Sequence, residues 1–122
     1  MRPYKHFNFE QAGNASVLRL RSAELLEPSV FVELTRELLD FVSVHKPSVM
    51  VLTFEYVKRF SSDVINVLLM VREQIVNLGG RLMLCEMRRE IREVFTILHL
   101  DFEIFHTLNE ALDVYEEETS AV

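Results

Sequence analysis

Ser61, Ser62 and Asp63 place two hydroxyls and a carboxylate side by side, directly ahead of the helical stretch Val64-Ile65-Asn66-Val67-Leu68-Leu69 and just after the apolar run Val49-Met50-Val51-Leu52-Thr53-Phe54. That combination manages negative charge. A helix following a buried strand turns its unpaired N–H groups and positive dipole end toward the connecting loop, where a carboxylate or a phosphorylated hydroxyl is stabilised. Two readings stay open. In the structural one, a hydroxyl caps the helix and the acid complements its dipole, with the cap worth about 0.5–2 kcal/mol. In the functional one, residues 58–69 form a docking surface, with Lys58 and Arg59 orienting an acidic partner or a phosphate and Phe60, Ser61, Ser62, Asp63, Ile65, Asn66 and Leu69 meeting it.

Other reactive side chains lack such a setting. His6, His45, His99 and His106 are scattered without the i, i+4 spacing of a metal pair, so no metal site is expected. The single cysteine, Cys85, lies in Leu82-Met83-Leu84-Cys85, where packing explains it and no disulfide within the chain is available. Arg88, Arg89 and Arg92 alternate with Glu90 and Glu93, as on a solvated helix face. There is no glycine-rich phosphate loop, no catalytic carboxylate pair and no nucleophile elbow; neither enzymatic activity nor a cofactor is expected.

Composition narrows the partners. The chain has 122 residues, 49% hydrophobic and 26% charged, which suits one globular domain with one core. Its formal charge of -6 opposes a nucleic-acid backbone or an anionic membrane. Met1-Arg2-Pro3-Tyr4-Lys5-His6 has no apolar core behind it, so no secretory signal is read, and a cytoplasmic setting is expected. The domain is assigned to residues 1–115, with an acidic flexible tail over 116–122.

The elements that must position the serine loop follow from pattern. His6-Phe7-Asn8-Phe9-Glu10 and Ser16-Val17-Leu18-Arg19-Leu20-Arg21 alternate around the turn Gly13-Asn14, predicting an antiparallel hairpin. A helix is predicted from near Pro28 to before Pro47, through Val30, Leu34, Leu38, Phe41 and Val42. A buried strand over 49–54 and a loop over 55–60 precede a second helix from about Ser62 to Leu78, closed by Gly79-Gly80. On it Val64, Val67, Leu68, Val71, Ile75 and Leu78 point inward, while Ile65, Leu69 and Val76 form a second patch that is either covered by neighbouring helices or a partner surface.

A strand over 81–85 comes next, then a helix over 87–98 with Ile91, Val94, Phe95 and Leu98 on one face, a strand over 102–105, and a last helix capped by Thr107 with Glu110 completing a capping box. The order β-β-α-β-α-β-α-β-α predicts an α/β fold: a mostly parallel central sheet joined by right-handed crossovers, with the hairpin adding an antiparallel edge.

In this order the chain resembles the STAS domain, shared by bacterial anti-sigma factor antagonists and the cytoplasmic tails of sulfate transporters. The resemblance spans nearly the whole chain. It is carried by Val49-Met50-Val51-Leu52 leading to Phe60-Ser61-Ser62, by Gly79-Gly80-Arg81-Leu82-Met83-Leu84-Cys85, and by Val94-Phe95-Thr96-Ile97-Leu98-His99-Leu100-Asp101 running into Ile104-Phe105-His106-Thr107-Leu108-Asn109-Glu110-Ala111-Leu112. Phosphorylation-controlled members carry approximately Asp-Ser-Ser-Gly in the loop, with the second serine as phosphoacceptor. Aligned without gaps, Ser61 falls on that aspartate, Ser62 on the first serine and Asp63 on the phosphoacceptor position.

The resemblance implies a non-enzymatic regulator of transcription that docks, through the loop and helix after the third predicted strand, onto a kinase-like anti-sigma factor. Such a partner is a serine kinase of the histidine-kinase-like ATPase fold. Asp63 then either fixes a phosphate-like charge or leaves Ser62 or Ser61 as the modified residue. Three alternatives are a scaffold subunit that self-associates or joins other STAS domains in a signalling assembly, a small-molecule or nucleotide-sensing module, and a lipid-transport accessory.

Overall fold

The computed structural model describes residues 4–120, with the backbone alone at 119 and 120. Residues 1–3 of the expected domain and 121–122 of the expected tail lie outside the described residues. The hairpin forms as its alternation requires: β1 (Phe7–Ala12) and β2 (Ala15–Leu20) pair antiparallel across a two-residue Gly13-Asn14 turn, in which Gly13 takes φ +62°. The sheet grows from β2 in parallel steps to β4 (Val49–Thr53), β6 (Arg81–Cys85) and β7 (Glu103–Phe105), in the order β1-β2-β4-β6-β7. A separate two-stranded parallel ribbon joins β3 (Glu24–Leu25) to β5 (Arg59–Phe60).

Four helices cover the sheet: α1 (Pro28–His45), α2 (Asp63–Asn77), α3 (Arg89–Ile97) and α4 (Leu108–Ser120). Because the three crossovers share one hand and the strands advance in one direction, α1, α2 and α3 fall on the same face. There Leu18, Leu20, Met50, Leu52, Leu82 and Leu84 meet Leu34, Leu38, Phe41, Leu68, Val71 and Phe95 in the larger core. The opposite side chains of the same strands, Val17, Val49, Val51, Met83 and Cys85, meet Ala111 of α4 in a smaller one. With both faces covered, β4 is buried at every position, as its unbroken apolar run predicts.

Helix ends are set by identifiable residues. Pro28 begins α1, and Lys46, in the left-handed region at φ 45°, ends it while its N–H donates to the Val42 carbonyl at 2.9 Å. The two glycines after α2 have different tasks. Gly79 adopts φ +83°, which side chains resist, whereas a Cβ on Gly80 would lie 2.5 Å from the Pro47 carbonyl oxygen. The Thr107 hydroxyl accepts the Glu110 N–H at 3.1 Å, while Glu110 reaches one residue further back than a standard capping box, to the N–H of His106 at 3.1 Å.

Several expectations need correction. The loop over 55–60 contains β5, whose partner β3 is likewise too short to show a period. Leu78 and Leu98, expected inward, are 46% and 51% exposed, because each follows the last helical residue of α2 or α3 and turns out with the chain. Helical structure also runs through Glu116 to Ser120, past the boundary at which the flexible tail was expected, and Arg81 holds Glu118 in an ion pair.

Candidate functional site: the loop after β4 and the start of α2

The serine loop is anchored at both ends. After β4, Phe54 donates its N–H to the Cys85 carbonyl at 3.0 Å, and the fully buried Thr53 hydroxyl accepts the Glu55 N–H at 3.4 Å. The chain then runs beside residues 23–25: the N–H groups of Lys58 and Arg59 donate to the Ala23 carbonyl at 2.7 and 3.2 Å, and that of Ser61 to the Leu25 carbonyl at 2.8 Å. These bonds bring Ser61 to the first turn of α2 with its backbone already fixed.

Within that turn the two serines have different roles. Ser62 is already helical at φ -59°, ψ -17°, and its side chain makes no capping bond. Ser61 does the capping: its hydroxyl accepts the Asp63 N–H at 3.2 Å, and its carbonyl accepts the Val64 N–H at 3.0 Å. The same hydroxyl donates to Asp63 Oδ2 at 3.1 Å. Asp63 therefore stands as an exposed acid in the first turn, complementing the helix dipole.

Phe60 is the loop's apolar anchor. Its ring stacks on Phe95 of α3 at 6.1 Å, Phe95 meets Phe102 edge-on at 5.6 Å, and the Arg72 guanidinium of α2 lies 4.3 Å over Phe102 while pairing with Asp101 at 2.9 Å. That pairing holds the Asp101 carboxyl below its ordinary range, chiefly through the hydrogen bond from Arg72. Loop, α3 and α2 are thus joined by one aromatic chain. Beside it Leu26, Lys58, Arg59, Phe60, Ile91 and Val94 line a hollow of about 310 Å³.

Of the residues expected to meet a partner, Lys58, Arg59, Ser62, Asp63, Asn66 and Leu69 are exposed, and Phe60 and Ser61 are partly so. Arg59 is paired with Glu24 at 3.0 Å, and among the described residues Lys58 makes no ion pair. Ile65 is the exception, at 6% exposed within the main core, and it cannot face a partner. α2 is the middle of three helices on its face, so its buried arc is wider than the single stripe the wheel assigns. The remainder of the expected patch, Leu69 and Val76, is 36% and 57% exposed.

Sequence reasoning missed Leu26, Ile91 and Val94 as walls beside the loop; the β3 register against Arg59 and Phe60 brings Leu26 there and has no periodic signature. Cys85 is fully buried at the end of β6, and desolvation followed by the nearby Glu86 carboxylate pushes its thiol up to about 12. The histidines go separate ways: His6 bonds Glu33 at 2.8 Å, and His45 stacks on Phe41 at 4.3 Å. Among the described residues no cluster of three His, Cys, Asp or Glu side chains is placed to hold a metal ion, and no helix is long and apolar enough to cross a membrane.

Comparison with known proteins adds the lineage. Solved structures share the fold at low identity. An anti-sigma-factor antagonist (STAS) domain protein from Planctomyces limnophilus has TM-score 0.77 at 19% identity, covering 88% of this chain and 95% of that one. A serine-to-glutamate form of Moorella thermoacetica RsbS has TM-score 0.76 at 14% identity, covering 95% and 99%. The Bacillus cell fate determinant SpoIIAA in its phosphorylated form has TM-score 0.68 at 20% identity, covering 89% and 98%. A search of curated proteins finds no matching relative. The family comparison is decisive, since the STAS domain matches residues 6–113: this chain belongs to the STAS domain family.

Proposed function

We propose that this chain is a non-enzymatic regulatory protein, similar to anti-sigma factor antagonists, that docks an anti-sigma factor of the histidine-kinase-like ATPase fold through the loop after β4 and the first turns of α2. The observation that carries this reading is the exposed Ser61-Ser62-Asp63 step at the amino end of α2, held rigid by β3 and β5 and flanked by Lys58, Arg59 and Phe60. Asp63 occupies the place that aligns with the family's phosphoacceptor. Its charge of about -1, against roughly -1.5 to -2 for phosphoserine, imitates the modified state only in part. A standing charge there weakens docking to a partner that presents acidic or nucleotide phosphate groups, so the protein is a constitutively attenuated binder.

Pull-down from the native cytoplasm with the wild type and Asp63→Ser tests this, with stronger capture of an ATPase-fold partner by the variant expected. Equal capture of that partner by both proteins would refute the charge-tuning role. Incubation with the captured kinase and ATP, followed by mass spectrometry, tests the locked loop: phosphate on Ser62 would show that it still switches.

A second reading is a scaffold subunit. It draws support from the likeness to a structure described as the molecular architecture of the stressosome, a signal integration and transduction hub, at TM-score 0.68 and 15% identity. Light scattering on the purified chain separates the two, because a strict monomer at all concentrations opposes self-assembly.

A further inference from the structure

The outward side of α1 carries a charge pattern that is its own complement when reversed. Its core-facing residue Leu38 is 0% exposed, and at about 100° per residue Val32, Arg36, Asp40 and Val44 stand about 120°, 160°, 200° and 240° around the helix from it. The four therefore cross the solvent face symmetrically about its centre. Val32 and Val44 are 66% and 65% exposed, large for aliphatic side chains, and they flank a basic residue followed one turn later by an acidic one. Asp40 Oδ2 accepts a hydrogen bond from the Tyr4 hydroxyl at 2.8 Å, leaving its other oxygen free to accept, while among the described residues Arg36 has no ion pair. Alongside lies a groove of about 610 Å³ between α1 and α2, walled by Val32, Thr35, Leu39 and the half-exposed Met70.

We infer that this face binds a second copy of the same chain, α1 lying antiparallel to α1 about a two-fold axis that passes outside Leu38. In an antiparallel pair, residues equally distant from the axis on either side oppose each other, and an isologous contact makes every pairing twice. Arg36 then meets Asp40 of the second copy, Asp40 meets its Arg36, and, because an antiparallel pair brings like flanks together, Val32 of each lies beside Ser43 of the other where the two grooves meet. A helix running the other way would set Arg36 against Arg36 and Asp40 against Asp40, so the charges select the antiparallel register.

The formal charge of -6 on each copy opposes association, and one helix face with its groove is a small interface, so the dimer belongs in the micromolar-to-millimolar range. None of this rests on the anti-sigma reading. Met70 lies two turns beyond Asp63 along α2, and the two surfaces are separately mutable.

Sedimentation equilibrium across that concentration range tests the inference. The wild type should dimerise. Arg36→Asp leaves only acids at the two positions and Asp40→Arg leaves only bases, so each alone should dimerise at least ~10-fold more weakly. Mixing the two variants should restore association as a heterodimer, because every facing pair is again of opposite sign. A wild type that remains monomeric, single variants that dimerise like the wild type, or a mixture that fails to associate would each overturn the proposal. Val32→Glu, at an exposed position on the groove with no hydrogen bond to lose, replaces Asp40→Arg if loss of the Tyr4 contact unfolds that variant, and unchanged dimerisation there overturns it equally.

Discussion

Ser61 and Asp63 are bonded to each other twice: the serine hydroxyl accepts the Asp63 N–H at 3.2 Å and donates to its carboxylate at 3.1 Å. One hydroxyl thus caps α2 and orients the carboxylate in its first turn. Ser61→Ala removes both bonds and should lower stability by about 0.5–2 kcal/mol, whereas Ser62→Ala, which removes no capping bond, should change it by less than about 0.5 kcal/mol. Urea unfolding of the two variants side by side provides the check, and equal losses would contradict the assignment of Ser61 as the cap.

The two sides of α2 should differ sharply in cost. Ile65 is 6% exposed inside the main core, so Ile65→Ala should destabilise by about 2–5 kcal/mol. Val76, 57% exposed, should lose about 0.5 kcal/mol or less on the same substitution, with Leu69 between them. Thermal melts rank the three; a neutral Ile65→Ala would place that side chain outside the core after all.

The contrast shows which parts of the fold a pattern can carry. Strands β4 and β6 were legible because two covered faces demand unbroken apolar runs. The serine loop was legible as a charge site because a strand, two hydroxyls and a helix start lie adjacent in sequence. Ile65 was assigned to the wrong side because the width of a buried arc depends on the helices to left and right, which one segment does not encode. β3 and β5 were invisible for a similar reason: two residues have no period, and their pairing joins positions far apart in the chain.

Gly80 gives a test of close packing. Its Cβ position lies 2.5 Å from the Pro47 carbonyl oxygen and 2.9 Å from Ile75 Cγ2, so Gly80→Ala must push the start of β6 away from the turn after α1. Overpacking of this kind costs about 1–3 kcal/mol. Pro47 offers a backbone atom, which yields less readily than a flexible side chain. A denaturation midpoint equal to wild type would show that the turn relaxes freely.

Acid should loosen the amino-terminal segment from α1. Glu33 lies below its ordinary value of 4.5, first because His6 hydrogen-bonds it and then because Lys5 does, at 2.8 and 3.3 Å. A carboxylate whose folded value is depressed stabilises the fold above the unfolded value, and that contribution fades as pH falls through the folded one. Stability attributable to Glu33 is therefore full above about pH 4.5 and declines below it. Glu33→Gln should flatten the pH dependence in that acidic window, as read from melting temperatures across it. An unaltered acid limb in the variant would assign the loss to other carboxylates.

Cys85 should be silent in the native state. The thiolate is the reactive form, and burial raises its thiol to about 12 while closing off access at the end of β6. Reaction with an aromatic disulfide reagent at mildly alkaline pH should then follow unfolding rather than encounter. Increasing urea should accelerate labelling in step with the unfolded population, and added reagent should cease to matter once opening limits the rate. Cys85 faces α4 in the smaller core, so with α4 docked until the fold opens as a whole the labelling free energy should approach that of global unfolding. Fast labelling under native conditions would show that α4 detaches from the smaller core on its own, since Ala111 and its neighbours are what cover that face.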